Sequence, residues 1–386
     1  MLNGATHERR VEIPPDAERD SPQREALSPD AVARLFHPWE NARKVLLAVS
    51  GGPDSVALML LAAAWAQDCA ASPRLHVATV DHGLRPEAAA EAEQVAEWAR
   101  RLGLPHDTLV WTGAKPKSRI QERARQARYK LLFAHAARIG ADVVATAHHA
   151  DDQAETILFR LLRGSGPAGL SGMAASRPRL GLTHARPLLQ CSKAELIACC
   201  ATNTRSFLTD PSNSDPAYAR TRMRALGGLL EQEGFGREAL LRLGRRAARA
   251  EAALAARASA VAEALPAARE PGLYRADISS LAQEPEEIFL RVLAREIVPI
   301  VNPLGGDPLG DSLGDYLGEP SPRRLRLERL ETLACAMQAA LRASAPFSGT
   351  LGGGALKLGR DHMLTIRTEK PRRRDIAARR EKLCDL

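Results

Sequence analysis

Short apolar runs that favour β-strands alternate with longer helical patterns in the first half of the chain. The apolar runs lie at 44–49, 75–80, 108–111 and 142–147. Such alternation is typical of βαβ units, in which helices cover a parallel sheet. Aromatic residues make up only 4% of the chain, which disfavours an all-β sandwich. We therefore predict an α/β fold built on a parallel sheet.

Turn residues and composition divide the chain into segments. The run DPSNSDP at 210–216 marks a domain exit, and 221–268 is rich in Ala, Leu and Arg at helical spacing. Residues 187–202 predict one more strand and a helix that begins with the capping-box pair Ser192 and Glu195. The predicted division is a flexible arm at 1–38, an α/β domain at 39–217, a helical domain at 218–300, a disordered Gly/Pro-rich insertion at 301–322, the remainder of the C-terminal domain with a small hairpin at 323–370, and a basic tail at 371–386.

A glycine-rich turn between the first apolar run and the following helix is the strongest chemical signal. A strand, a glycine turn and a helix start together present free backbone N–H groups to an anion. Asp54 would repel a phosphate unless a cation intervenes, so we predict that it binds Mg²⁺. The pattern GxxxxGK[ST] is absent, which excludes a Walker A loop. The residues of this turn are Ser50, Gly51, Gly52, Pro53, Asp54 and Ser55.

This turn resembles the PP-loop of the N-type ATP pyrophosphatases, which cleave ATP between its α- and β-phosphates. The resemblance implies an adenine nucleotide α hydrolase-like fold and assigns Ser50 to Ser55 to ATP binding. Asp81 and His82 end the second apolar run, at the carboxyl edge where open α/β sheets bind ligands, so we expect them to take part in ATP binding.

Three acids follow the fourth apolar run in the sequence HHADDQAET at 148–156. Asp151, Asp152 and Glu155 have spacings that place their carboxylates on one helical face. Acids at a helix start also interact favourably with the helix dipole. Their place beside a phosphate loop favours a functional role.

Several blocks together resemble the tRNA(Ile)-lysidine synthetases over about residues 44–224. They are HHADDQAET, RGSGPAGLS at 163–171, RPLL at 186–189, DPSN at 210–213, and Tyr218 followed by Arg220 and Arg224. The resemblance implies ATP-dependent ligation of free L-lysine to C2 of the wobble cytidine of tRNA(Ile) with a CAU anticodon, which changes decoding from AUG to AUA. It also implies that 39–217 is the catalytic domain and that 218–300 contacts tRNA.

Site roles follow from this implied reaction. Asp54 and Asp151 are the predicted Mg²⁺ ligands, with Asp152 as an alternative to Asp151. Asp152 and Glu155 are predicted to recognise the cationic groups of lysine, and Arg128 is expected to reach the active site. Residues 206–209 read SFLT, where the family pattern has a Trp and an acid, so this segment departs from the pattern.

A basic segment at 115–130 carries seven basic residues against one acid, in a chain of net charge +8. As a helix it is either a solvated charged surface or a phosphate-contacting surface for tRNA, and its position beside the site favours the second reading. The predicted tRNA contacts are Arg119, Arg123, Lys130, Arg220 and Arg224.

Three alternatives remain open on the sequence alone. They are a PP-loop tRNA 2-thiolase, an amide-forming synthetase for a small metabolite, and a non-catalytic RNA-binding protein. The six cysteines include no CxxC pair, which counts against thiolation. The scattered cysteines and the missing secretory signal predict a cytoplasmic enzyme, and we expect no membrane association and no obligate protein partner.

Overall fold

A six-stranded sheet forms the first half of the protein. The computed structural model describes residues 27–83, 87–113, 115, 120–203, 207–208, 219–301 and 327–369, without the side chains of 121, 202–203, 219–225, 301 and 327. The strand order is β3-β2-β1-β4-β6-β5, and only the β5–β6 pair of this sheet is antiparallel. The strands are β1 (Lys44–Ala48), β2 (Arg74–Asp81), β3 (His106–Val110), β4 (Val143–Ala145), β5 (Ser176–Arg179) and β6 (Leu182–Ala185).

Helices cover both faces of this sheet. The central strand β1 explains why, because its residues are buried on both sides: Val45 and Leu47 face one core, while Leu46 and Ala48 face another. The first core lies under α1, α2, α3 and α7, and the second lies under α4. The helices of this half are α1 (Pro29–Phe36), α2 (Pro53–Asp68), α3 (Ala88–Arg101), α4 (Ile120–Arg138), α5 (Ala150–Leu161), α6 (Pro167–Leu170) and α7 (Lys193–Asn203).

The predicted flexible arm ends earlier than residue 38. Ser28 caps α1 by accepting the N–H of Ala31 at 3.3 Å. Phe36 and Trp39 are buried and pack against Trp65 of α2, with ring centroids 5.6 and 6.3 Å away. Residues 29–39 therefore belong to the core of the α/β domain, because three large rings are removed from water together. Residues 1–26 lie outside the described part of the chain.

The strand predicted after Pro187 lies instead before it, as β6, and its antiparallel partner β5 was not predicted. The helix prediction at this point is correct, since α7 begins after Ser192. The Ser192 hydroxyl accepts the N–H of Glu195 at 3.3 Å, and the Glu195 carboxylate accepts the N–H of Ser192 at 2.6 Å. This reciprocal pair is the expected capping box.

The second half combines helices with an antiparallel sheet of order β7-β8-β11-β10-β9. The predicted hairpin is therefore only part of a five-stranded sheet, and β7 and β8 lie within the segment predicted to be helical. The elements are α8 (Ala219–Gln232), α9 (Arg237–Ala264), β7 (Ala267–Glu270), β8 (Leu273–Asp277), α10 (Glu286–Val301), α11 (Leu327–Arg342), β9 (Phe347–Leu351), β10 (Gly354–Leu358) and β11 (Met363–Thr368). The insertion was predicted at 301–322, but Val301 ends α10; residues 302–322 and the tail at 371–386 lie outside the described residues.

The two halves meet along α5 and α9. Ala154, Ile157 and Leu158 of α5 form a small core with Leu240 of α9. At Gly244 a Cβ would lie 2.5 Å from Ile157 Cδ1, so the two helices approach too closely for a larger residue without movement. The helix that carries the predicted acids is thus fixed by both halves of the protein.

Candidate active site

The turn from Ser50 to Ser55 links β1 to α2 at the carboxyl end of the sheet. Pro53 is the first residue of α2 and Gly52 is its N-cap, so the turn leads directly into the positive end of the helix dipole. Within the described residues, the N–H groups of Gly51 and Gly52 have no hydrogen-bond acceptor. These free donors at a helix N-terminus form a site suited to phosphate.

Internal hydrogen bonds hold this turn in place. The Ser55 hydroxyl donates to the Gly52 carbonyl at 2.9 Å and accepts the Ser50 N–H at 3.1 Å. Gly51 adopts a φ of +89°, and a Cβ on it would lie 2.5 Å from Leu208 Cδ1. Leu208 also donates its N–H to the Gly51 carbonyl at 2.9 Å. Gly51 is therefore required by its backbone conformation and by the close approach of Leu208.

Asp54 of the turn meets the start of α5 through His149. The Nε2 of His149 lies 3.5 Å from Asp54 Oδ2 and 3.5 Å from Asp152 Oδ2. Asp152 Oδ2 also accepts the backbone N–H of His149 at 3.2 Å. The turn at 50–55 and the acidic start of α5 thus both contact the same imidazole. The sequence interpretation did not assign a role to His149, although it lies inside the HHADDQAET block.

Asp151 lies at the other nitrogen of the same ring. His149 Nδ1 is 3.4 Å from Asp151 Oδ2, and that carboxylate also accepts the N–H of Lys193 at 3.0 Å and contacts Arg237 Nη1 at 3.3 Å. The imidazole therefore separates Asp151 from Asp54. Asp54 and Asp152 thus lie at one nitrogen of the ring and Asp151 at the other, so the geometry favours Asp152 over Asp151 as the second cation ligand.

The charges of this cluster are strongly coupled. Burial alone would lower the pKa of His149, but its hydrogen bonds with Asp151 and Asp54 and the charge of Asp152 raise that pKa to about 10. Burial opposes ionisation of Asp151, yet the contacts with His149, Lys193 and Arg237 lower the pKa of this carboxyl. When the ring is neutral, its unprotonated Nδ1 can accept the backbone N–H of Asp151, which lies 3.2 Å away. When the ring is protonated, Nδ1 donates to the Asp151 carboxylate instead, and this capping contact is lost.

The donor set fits a magnesium ion. Asp54 Oδ1 is buried and has no hydrogen-bond partner in the part of the chain that the structure describes, although carboxylate oxygens are costly to bury unsatisfied. Mg²⁺ prefers such oxygen ligands. Asp54 and Asp152 lie on the same side of His149, so these two residues would hold the cation.

The remaining predicted site residues lie at the same edge. Glu155 is half-buried one turn further along α5. Asp81 ends β2 and accepts the N–H of Gly83 at 2.7 Å, while His82 packs edge-on against Trp111 with ring centroids 6.1 Å apart. Burial and the charge of Arg128 lower the pKa of His82 to about 4, so Arg128 lies close to this edge and His82 is neutral at pH 7.

A basic and aromatic cluster lies beside this edge. Tyr129 of α4 is buried, with Arg179 of β5 over its ring at 4.8 Å and Arg125 at 5.4 Å. Arg186 is fully buried, and its Nη2 contacts His184 Nδ1 at 3.2 Å. Burial opposes ionisation of Tyr129, but the nearby arginines lower the pKa of this phenol. Only RPLL in the family resemblance pointed to Arg186, because β5 and β6 were not predicted as strands.

The predicted tRNA contacts are divided between described and undescribed residues. Arg123 and Lys130 are exposed on α4, as a phosphate-contacting surface requires. Arg119 lies outside the described residues, and the side chains of Arg220 and Arg224 in α8 are also not described. The basic segment does form a helix, α4, from Ile120 onward.

A parallel sheet with a glycine turn that lacks a lysine, followed by a helix whose first turn carries an acid, defines the PP-loop class of nucleotide-binding domain. Residues 26–227 match the family model described as PP-loop domain. The chain is 46% identical to the tRNA(Ile)-lysidine synthase of Methylobacterium sp. (strain 4-46) over 356 residues, covering 90% of this chain and 96% of that protein. It is 49% identical to the tRNA(Ile)-lysidine synthase of Rhodopseudomonas palustris (strain ATCC BAA-98 / CGA009), covering 70% of this chain and 80% of that protein. The chain belongs to the tRNA(Ile)-lysidine synthase family.

Among solved structures, the U34-tRNA thiolase NcsA from Methanococcus maripaludis shares 16% sequence identity, with a TM-score of 0.48 over 56% of this chain and 77% of that chain. In the part of the chain that the structure describes, every helix is too short or too polar to cross a membrane.

Proposed function

We propose that this protein ligates free L-lysine to C2 of the wobble cytidine of tRNA(Ile) with a CAU anticodon, and that ATP drives the reaction. The observation that carries the proposal is the convergence of Asp54 and Asp152 on His149, which joins a phosphate loop to an acidic pocket. Family membership over nearly the whole length of a relative supports the same reaction.

The first step forms an adenylated base. The O2 atom of cytosine attacks the α-phosphorus of ATP, an O–P bond forms, and the bond to the leaving pyrophosphate breaks. The free N–H groups of Gly51 and Gly52 and the N-terminus of α2 are placed to stabilise negative charge on the phosphates. Mg²⁺ held by Asp54 and Asp152 would neutralise further phosphate charge when bound.

The second step replaces AMP by an amine. The ε-ammonium of lysine first loses a proton to give the free amine. The amine nitrogen then attacks C2, the C–O bond to AMP breaks, and a second proton leaves the nitrogen. Lysine carries an α-ammonium and an ε-amine that is protonated in water, so carboxylates must recognise it. Asp152 and Glu155, one turn apart at the start of α5, are our proposed lysine contacts, and a carboxylate there accepts the proton.

The exposed face of α4 is our proposed contact for the tRNA backbone. Neutralising Arg123 and Lys130 together, as Arg123→Gln and Lys130→Gln, is expected to flatten the slope of log affinity against log salt by about 0.7–0.9 for each phosphate interaction that is removed. The measurement is tRNA binding at several salt concentrations. Lys357→Gln with Arg360→Gln on the second sheet is the charge-matched control, since these residues lie far along the chain near β10. An unchanged slope in the α4 variant would show that this face is only solvated.

Thiolation is the main alternative within the same fold. It needs a reactive thiol, and thiols react as thiolates. Burial raises the pKa of Cys191 and of Cys200 to about 12, so both stay protonated at neutral pH. This chemistry disfavours sulfur transfer through either residue.

Release of pyrophosphate from ATP, measured together with incorporation of labelled lysine into tRNA, tests the proposal. We expect both to require tRNA(Ile) with a CAU anticodon, and lysine incorporation to require ATP. Pyrophosphate release that depends on a small metabolite without tRNA would identify an amide-forming synthetase. A protein that binds tRNA and releases no pyrophosphate would be a binding module, and either result would overturn the proposal.

A further inference from the structure

A second cluster of potential ligands lies at the opposite end of the sheet from the candidate active site. His76 lies near the start of β2, Asp107 lies near the start of β3, and His135 lies in the last turn of α4. His76 is five residues before Asp81, or about 16 Å along the strand at about 3.3 Å per residue. The cluster is thus separate from the ATP site.

The three side chains converge on one carboxylate oxygen. Asp107 Oδ2 lies 2.8 Å from His76 Nε2 and 3.1 Å from His135 Nε2. The three ligand atoms all lie within 4.8 Å of one another. A tetrahedral ion with ligands at about 2.0–2.1 Å needs ligand atoms about 3.3 Å apart, so both measured separations require only a few tenths of an ångström of expansion.

One of these ligand atoms is unsatisfied. The side chain of His135 is only 3% exposed, and among the described residues its Nε2 has no partner in hydrogen-bond geometry, although the Asp107 carboxylate is nearby. The nitrogen has an ion-pair contact with Asp107 Oδ2 at 3.1 Å that does not reach hydrogen-bond geometry, and a bound cation would satisfy it better. This observation is independent of the grouping of the three residues.

The surroundings leave one side open. Asp107 is 43% exposed, while His76 is 16% exposed, so water can reach a fourth ligand position from the Asp107 side. Arg138 donates to His135 Nδ1 at 2.7 Å. Binding a metal at Nε2 places the ring proton on Nδ1, so the exposed Arg138 side chain must turn away.

We propose that His76, Asp107 and His135 bind one divalent transition-metal ion, with Zn²⁺ as the best match and water at the fourth position. Two imidazoles and one carboxylate suit zinc, whereas Mg²⁺ prefers oxygen ligands only. The ion joins β2 and β3 to the last turn of α4, the helix whose first half carries Arg125 and Arg128. The assignment does not depend on the proposed catalytic function.

Zinc titration of untagged, chelator-treated protein tests this site. We expect one equivalent of Zn²⁺ to bind in the presence of excess Mg²⁺, with an increase in melting temperature. Asp107→Asn preserves the shape of the side chain and is expected to weaken zinc binding by at least about 100-fold. This loss exceeds the loss expected when the residue replaced only hydrogen-bonds a metal ligand. His106→Gln is the matched control, because the neighbouring His106 bonds Thr79 instead.

Two further variants make the outcome decisive. Arg138→Gln is expected to tighten zinc binding, because it removes the cation that opposes a proton on Nδ1. Asp54→Asn is expected to leave zinc binding unchanged, because Asp54 belongs to the other site. If wild-type protein binds no equivalent of zinc, or if folded Asp107→Asn binds it as tightly as wild type, the three residues form only an ion-paired network and the assignment is wrong.

Discussion

Replacing Asp54 by Asn is expected to reduce tRNA-dependent pyrophosphate release by about 10²–10³-fold, the loss typical when one group that stabilises developing charge is removed from an active site. The carboxylate has a buried oxygen that makes no hydrogen bond to any described residue, and it is the proposed cation ligand. The substitution keeps the size of the side chain and removes its charge. Initial rates of pyrophosphate release at saturating ATP and tRNA provide the measurement.

Asp68→Asn is the matched control for this variant. Asp68 lies at the far end of the same helix, is exposed, and carries the same charge. Its replacement is expected to leave the rate at the wild-type level. Binding of tRNA by Asp54→Asn is expected to stay close to wild type, because the proposed role of Asp54 concerns only ATP and its cation. Normal pyrophosphate release from folded Asp54→Asn would remove Asp54 from the proposed mechanism.

Replacing Glu155 by Gln is expected to raise the lysine concentration required for half-maximal lysidine formation by roughly 30- to 5,000-fold. This range corresponds to the roughly 2–5 kcal/mol that loss of one partner of a buried charge pair typically costs. The first step needs no lysine, so pyrophosphate release with tRNA is expected to remain close to wild type. The two steps are measured separately, as pyrophosphate release and as incorporation of labelled lysine.

Asp152→Asn distinguishes the roles of the two acids. Asp152 lies beside Asp54 at the Nε2 of His149, so its loss is expected to impair both steps, whereas loss of Glu155 impairs only the second. Glu93→Gln on the exposed surface of α3 is the charge-matched control. If Glu155→Gln lost pyrophosphate release but kept its lysine requirement, Glu155 would belong with the cation site instead of the lysine pocket.

Local patterns in the sequence were sufficient to predict the α/β fold class and the PP-loop. The period of apolar residues determines which segments become strands and which become helices, because each must bury one face or both. The turn at Gly51 was likewise predictable, since its positive φ is tolerated best by glycine. The capping box at Ser192 depends on residues only three apart, so it too could be inferred directly.

Contacts between distant segments could not be inferred in this way. Asp151 and Asp152 are neighbours in sequence with the same charge. Asp151 accepts the backbone N–H of Lys193 and pairs with Arg237, whereas Asp152 lies at the nitrogen of His149 that also faces Asp54. The second sheet joins strands from 267–277 with strands from 347–368, and the described helices α10 and α11 lie between them in sequence.

The sequence by itself determined the local helices and strands, the glycine turn before α2, and the presence of three acids near that turn. Only the tertiary structure decided which acid lies near the turn, because that depends on where His149 is held between the starts of α2 and α5. It also decided that His76, Asp107 and His135 meet, although 59 residues of sequence separate the first from the last. Hydrogen-bond and ion-pair partners depend on distances of a few ångströms in space, and these are set only when the helices pack on the sheet.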